Sequence, residues 1–130
     1  MIGAAGVVMF VGCGASGPEI VPVTGEVHFN GQPVADADVL FAPDSGRPAV
    51  AHTDETGQFQ LKTRTAGDGA SVGHHHVVIT KSQQVDPNDT SPYPEMKSVL
   101  PPKYGNPSLS GLTADVTADG ENHFRFELTD

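Results

Sequence analysis

The sequence has no tryptophan, and its aromatic side chains are limited to 6 phenylalanines and 2 tyrosines in 130 residues. A chain of this length suits one domain with one core. It contains 11 prolines and 15 glycines, which favour short strands joined by many turns. No stretch has the apolar spacing of an amphipathic helix, so we expect little or no helix.

Basic residues are also scarce. The chain has 7 lysines and arginines against 16 aspartates and glutamates, which gives a formal net charge of -9. Such a surface repels phosphate backbones and anionic lipid headgroups, which argues against nucleic acid as a partner. The same acidic charge keeps a protein soluble.

The one cysteine, Cys13, cannot form a disulfide within the chain. It follows an apolar run from Ile2 to Val11 and directly succeeds Phe10-Val11-Gly12. This quartet resembles the bacterial lipobox, where a signal peptidase cleaves before a cysteine that then carries diacylglycerol, although Phe10 replaces the usual aliphatic residue. The resemblance implies a signal segment over residues 1–12, a lipid on Cys13 and a flexible tether over residues 13–20.

The predicted signal segment lacks the positive charge with which a secretory signal opens. The first basic residue is Arg47, so we infer that translation begins upstream of Met1. A buried first strand with Cys13 in the core is the alternative. Ten apolar residues are too few to cross a bilayer as a helix. Gly14, where an inner-membrane retention signal has aspartate, favours the outer membrane or the periplasmic face of the cell envelope.

Beyond the tether, apolar and polar residues alternate with the period of strands that are buried on one face. Two hairpins are expected, one across Asn30-Gly31 and one across Asp119-Gly120, because these pairs tolerate tight turns. Inward positions of the fifth segment include His75. Residues 21–130 are therefore predicted to form a seven-stranded antiparallel Greek-key β-sandwich. The segments are Val21 to Phe29, Pro33 to Phe41, Ala49 to Thr53, Gln58 to Lys62, Gly73 to Lys81, Leu112 to Val116 and Phe124 to Leu128.

A long segment from Ser82 to Gly111 contains six prolines, too many for a central strand or a stable helix. Structureless segments of this length are usually functional or disordered. We expect a partly ordered flap that is the contact surface for a partner. Tyr93 and Tyr104 are its candidate aromatic anchors, and the alternative for both is packing onto the sandwich.

Several motifs resemble carboxypeptidase regulatory-like domains, also called transthyretin-like or prealbumin-like. They include VTGEV (23–27), NGQPV (30–34), TDETGQF (53–59) and the strand that begins at Gly73, where this family often has an aromatic at the place of His75. LPPKY (100–104) and SGLT (110–113) resemble the tail of small bacterial lipoproteins that carry this domain. The resemblance implies a seven-stranded Greek-key sandwich that serves as a structural or binding module without chemistry of its own.

The run His74-His75-His76 is the candidate metal site. In a strand, His74 and His76 project from one face, so their imidazoles can share a zinc, copper or nickel ion. A stable site needs further ligands, for which His28, His52, His123 or a nearby aspartate are candidates. The alternative is an exposed polar face with His75 in the core.

No catalytic apparatus is apparent, because the sequence has no Gly-x-Ser-x-Gly motif. The C-terminus lacks the Tyr-Arg-Gly-Ser motif typical of transthyretin-like hydrolases, and the tyrosines follow the histidine run, unlike those of intradiol dioxygenases. We therefore expect no enzyme activity and no cofactor. The predicted function is a lipid-anchored structural or binding module of the cell envelope, with an envelope protein or polysaccharide as partner. A metal-binding protein and a transthyretin-like hydrolase are the alternatives.

Overall fold

The computed structural model describes residues 19–44 and 46–130, so the predicted signal segment and Cys13 lie outside the described residues. Within the described part of the chain, twelve strands and one 3-10 helix (Pro102–Gly105) form, and no α-helix. The strands are β1 (Ile20–Val21), β2 (Thr24–Phe29), β3 (Gln32–Pro33), β4 (Asp38–Pro43), β5 (Ala49–His52), β6 (Gln58–Gln60), β7 (Ala70–Ser71), β8 (Gly73–Thr80), β9 (Ser82–Gln84), β10 (Met96–Ser98), β11 (Thr113–Val116) and β12 (His123–Leu128).

Two main sheets pack face to face. The first sheet has the order β12-β2-β3, with β6 also paired to β2, and the second has the order β11-β8-β4-β5. Apolar residues at alternate positions of both sheets are buried between them, as period-two patterning requires. The predicted all-β sandwich is therefore confirmed.

The number of strands differs from the predicted seven. Each predicted segment coincides largely with one strand of three to eight residues, namely β2, β4, β5, β6, β8, β11 and β12. The five additional strands contain two or three residues each. Such short pairings carry no readable alternation, so hydrophobic periodicity does not predict them.

The predicted C-terminal hairpin is wrong. Strand β11 pairs with β8 in the second sheet, and β12 pairs with β2 in the first. The loop that contains Asp119-Gly120 therefore crosses from one sheet to the other. The β12–β2 pairing is also parallel, so the sandwich is not purely antiparallel. Alternation identifies which face of a strand is buried but not which strand lies beside it.

The hairpin across Asn30-Gly31 is correct for only two residue pairs. Both turn residues have positive φ, 51° and 85°, and β2 and β3 pair at His28–Pro33 and Phe29–Gln32. The chain then leaves the first sheet and enters β4 in the second. Thr53, which is buried, holds this crossing, because its hydroxyl oxygen accepts a hydrogen bond from the Ala37 N–H at 2.8 Å.

The core is built around the ring of Phe41, which is fully buried. The centroids of four rings lie 5.6–6.3 Å from that of Phe41, three of them in edge-on geometry, which aromatic pairs favour. One of them is His75, whose predicted inward orientation is confirmed. Its Nε2–H donates to the Ser71 carbonyl at 2.7 Å, whereas its Nδ1 is buried without a partner.

Replacing this buried imidazole should destabilise the fold far more than replacing its neighbour. We expect His75→Ala to lower the free energy of unfolding by about 2–4 kcal/mol, because it leaves a cavity beside Phe41 and an unpaired carbonyl on Ser71. His74→Ala removes an exposed side chain and should cost about 0.5 kcal/mol. Urea unfolding of both variants measures the difference, and equal losses would contradict the core role of His75.

Candidate functional site

The C-terminal half of the flap is packed onto the sandwich. Leu100 is buried, and the Ser110 hydroxyl donates to the Val77 carbonyl at 2.7 Å. Tyr104 is only 5% exposed, and its hydroxyl both donates to the Thr129 carbonyl and accepts from the Thr129 N–H, each at 3.0 Å. Tyr104 therefore packs onto the sandwich, which is the alternative to partner binding, and it ties the flap to the end of β12.

The N-terminal half of the flap projects as a hairpin of β9 and β10, which we call the flap hairpin (residues 82–98). Beyond the paired strands, the Val85 N–H donates to the Glu95 carbonyl at 2.9 Å. Tyr93 near its tip is 94% exposed, and Val85 and Met96 are about half exposed. This exposed apolar surface is where the sequence placed a partner contact.

The structure brings His74 and His76 together on one face of β8, with ring centroids 5.4 Å apart. Nδ1 of His74 lies 2.7 Å from a carboxylate oxygen of Asp115, and Nε2 of His76 lies 3.9 Å from a carboxylate oxygen of Asp44.

The other candidate ligands contact other carboxylates. His28 and His123 contact Glu26, and His52 contacts Asp36 and Asp38. In residues 19–44 and 46–130, no three histidine, cysteine, aspartate or glutamate side chains form a group that could hold a metal. Metal binding by His74 and His76 stays a prediction.

A second arrangement lies on the outer face of the first sheet, across β6, β2 and β12. Thr24 is paired with Gln60 on one side and His123 on the other, and Glu26 is paired with Gln58 and Arg125. We call these six residues the polar ladder. Its side chains share one face because positions two apart on a strand project the same way.

Glu26 is the centre of the polar ladder. Its carboxylate lies 2.7 Å from Nε2 of His28, 3.4 Å from Nε2 of His123 and 3.3 Å from a guanidinium nitrogen of Arg125. The hydrogen bonds from His28 and His123, with the charge of Arg125, lower the pKa of Glu26 below its ordinary value. Nδ1 of His123 in turn lies 2.9 Å from the Thr24 hydroxyl. Glu26 is therefore held ionised and fixes the imidazole of His123.

An open cleft of about 490 Å³ borders the polar ladder. Its polar side chains are Thr24, His52, Asp54, Gln58, Gln60 and His123. A second cleft of about 370 Å³ shares His52 and Gln60 with the first and has Val50 and Ala51 in its wall. The two clefts therefore adjoin each other where the edges of the two sheets meet, next to a bridge between Val50 and Lys62, and we call them together the groove.

Two groups in the groove are oriented by their neighbours. Nδ1 of His52 lies 3.0 Å from Asp38 and Nε2 lies 3.4 Å from Asp36, and the hydrogen bond to Asp38, with that to Asp36, raises the pKa of His52. Asp54 accepts from the Thr56 hydroxyl and from the N–H groups of Gln58 and Thr56, which lower its pKa. Both side chains are thus fixed in position by their hydrogen-bond partners.

Sequence reasoning did not identify the polar ladder. Polar residues at positions 24, 26 and 28, at 58 and 60, and at 123 and 125 were visible as the outward side of the alternation. Their convergence depends on β12 lying beside β2, whereas the sequence had indicated a hairpin of β12 with β11. From the sequence alone, His28, His52 and His123 are candidates only as further ligands of the histidine run.

The described residues thus form an all-β sandwich with a polar groove on one side. No protein family was found to match the chain, and no curated protein matches it. A 9R-lipoxygenase from Cyanothece PCC8801 is similar in structure, with a TM-score of 0.43 and 13% sequence identity over 86% of this chain. The chain spans 16% of the length of that lipoxygenase chain. Among residues 19–44 and 46–130, no helix has the length and apolar character needed to cross a membrane.

The paired charges predict a stability maximum at mildly acidic pH. The raised pKa of His52 contributes stability that is complete below its ordinary value of 6.5 and is lost as pH rises through the folded value. The lowered pKa of Glu26 contributes stability above its ordinary value of 4.5 that is lost as pH falls through the folded value. Both contributions are complete between these two values.

Unfolding by urea measures this effect. The stability that His52→Gln loses relative to the unsubstituted protein should be larger at about pH 5.5 than at about pH 8. Gln60→Ala removes a side chain without a titrating group from the same groove, so its effect should not depend on pH. An effect of His52→Gln that is equal at both pH values would contradict the ion pairs.

Proposed function

We propose that this protein is a non-catalytic, lipid-anchored module of the bacterial cell envelope that binds another envelope component through the flap hairpin. The observation that carries the proposal is the contrast within the flap. Its C-terminal half is pinned by Tyr104 and Ser110, whereas Tyr93 on the hairpin is 94% exposed. Exposed aromatic side chains on a rigid base are typical anchors of protein interfaces.

We also propose membership of the carboxypeptidase regulatory-like domains. The seven strands that match the predicted segments divide between two sheets as three and four, which supports the resemblance. The motif NGQPV (30–34) lies at the tight turn between β2 and β3. The motif TDETGQF (53–59) forms the turn into β6, where the carboxylate of Asp54 accepts three hydrogen bonds. Tyr104 of the LPPKY motif (100–104) packs against the sandwich.

The geometry around Thr24 supports a role without catalysis. Thr24, His123 and Glu26 are hydrogen-bonded in a line, which is the order of nucleophile, base and acid in many hydrolases. Such enzymes also need backbone N–H groups aimed at the oxyanion of the tetrahedral intermediate. The Thr24 N–H already donates to the Asn122 carbonyl at 3.0 Å, so it is not available for this purpose.

The lipid anchor is tested on the protein isolated from its native envelope. We expect mass spectrometry of the N-terminal peptide from the membrane fraction to find a peptide that begins at Cys13 and carries diacylglycerol. Because the chain has no other cysteine, Cys13→Ser should abolish the modification completely and move the protein out of the membrane fraction. An unmodified N-terminus in the soluble fraction would overturn the proposed location.

The partner surface is tested by crosslinking in native envelope followed by capture of the protein. The double variant Tyr93→Ala/Met96→Ala should lose most of its specific crosslinked species, because truncating an aromatic anchor costs an interface about 2 kcal/mol or more. Leu109→Ala is the matched control, since Leu109 is 64% exposed but lies in the pinned half of the flap. Crosslinks that persist in the double variant, or disappear equally in the control, would contradict the flap hairpin as the contact.

A further inference from the structure

The groove beside the polar ladder contains planar polar groups in an ordered array. Strand register sets Gln60 beside Thr24 and Gln58 beside Glu26 on one face. His123 and Arg125 continue the same two rows on β12. Side-chain amides, imidazoles and carboxylates in such rows match the paired hydroxyl groups of a sugar ring, because each offers directed donors and acceptors.

Part of this hydrogen-bonding capacity is unused within the protein. In the described part of the chain, the side-chain amides of Gln58 and Gln60 make no hydrogen bond, although both border the cleft. Asp54 uses only Oδ1 for the three donors that it holds, so Oδ2 is available to accept from a ligand. A charge-assisted hydrogen bond from a hydroxyl to an ionised carboxylate is stronger than a neutral one.

The charge around the groove favours a neutral ligand over an anion. The carboxylate of Glu26 is balanced by the guanidinium of Arg125 and by contacts with two imidazoles. Asp38 and Asp54 line the groove together with Lys62 and His52, so the charges within the groove largely oppose one another. The chain as a whole has a formal net charge of -9, which repels phosphorylated or carboxylated ligands.

The size and the second wall of the groove fit a chain of sugar units. The main cleft of about 490 Å³ lies within the range of about 300–1,000 Å³ that is typical of small-molecule sites. The adjoining cleft of about 370 Å³ continues past His52 and Gln60 and presents Val50 and Ala51. Apolar side chains there can pack against the C–H face of a sugar ring while the ladder binds its hydroxyls.

We propose that this groove binds a neutral oligosaccharide, with Gln58, Gln60 and Asp54 as the groups that contact its hydroxyls. The site lies on a different surface from the flap hairpin and does not depend on the lipid anchor. It therefore adds a glycan contact to the proposed envelope function, and either proposal can fail without the other.

The test uses the purified full chain labelled with ¹⁵N and titrated separately with maltohexaose, cellohexaose and chitohexaose. We expect amide shifts confined to β5, β6 and the start of β2 and β12 for at least one of these probes, at concentrations up to about 10 mM. Because one neutral hydrogen bond is worth about fivefold in affinity, the Gln58→Ala/Gln60→Ala variant should bind at least about tenfold more weakly.

The control is Gln32→Ala/Gln83→Ala, which removes two exposed amides outside the groove and should bind with unchanged affinity. Tyr93→Ala/Met96→Ala should also bind normally, which separates this site from the flap hairpin. Asp54 is not substituted, because its side chain holds the turn into β6. Absence of shifts with all three probes at about 10 mM, or binding that survives in the Gln58→Ala/Gln60→Ala variant, would overturn the proposal.

Discussion

The parallel pairing of the last strand with the first long strand is the interaction on which the rest of the structure depends. It places Phe124 and Phe126 of β12 against the ring of Phe41, so it closes the core. It also sets His123 beside Thr24 on the outer face. At its end, the backbone of Thr129 holds the hydroxyl of Tyr104 and thereby the flap. One pairing therefore builds the core, the polar ladder and the base of the proposed partner surface.

Polar groups inside the sandwich are placed where the chain changes sheets or leaves a strand. Thr53 satisfies the Ala37 N–H at the crossing from the first sheet to the second, and Ser110 satisfies the Val77 carbonyl where the flap returns. A buried backbone group without a partner costs about 1–3 kcal/mol, so these side chains stabilise the connections as well as the core.

The glycine of the VTGEV motif (23–27) provides space for an aromatic ring of the core. A Cβ on Gly25 would lie 2.4 Å from the ring of Phe59, so only glycine lets that ring pack against β2.

The sequence predicted the elements that depend on local pattern and missed those that depend on neighbours. Seven of the strands and the inward side chain of His75 follow from alternation, and the turn at Asn30-Gly31 follows from the tolerance of these residues for positive φ. The local sequence pattern does not distinguish the two tyrosines of the flap, although Tyr104 is buried and Tyr93 is exposed. Tyr104 is buried because the 3-10 helix after Pro101 directs it to the end of β12. That contact depends on tertiary structure, as does the polar ladder.

Histidine takes the place of lysine and arginine on both outer faces. With 16 acidic and 7 basic residues, the sheets have too few permanent cations to pair the acids that alternation places there. Five of the six histidines lie within 4.0 Å of a carboxylate, and only His75 is in the core. Several of these pairs join neighbouring strands, such as His52 with Asp38 and His74 with Asp115. In the groove, Asp38 and Asp36 hold the imidazole of His52 in position and raise its pKa. The side-chain amides of Gln58 and Gln60 beside it offer both donors and acceptors, a combination that suits a neutral ligand better than a charged one.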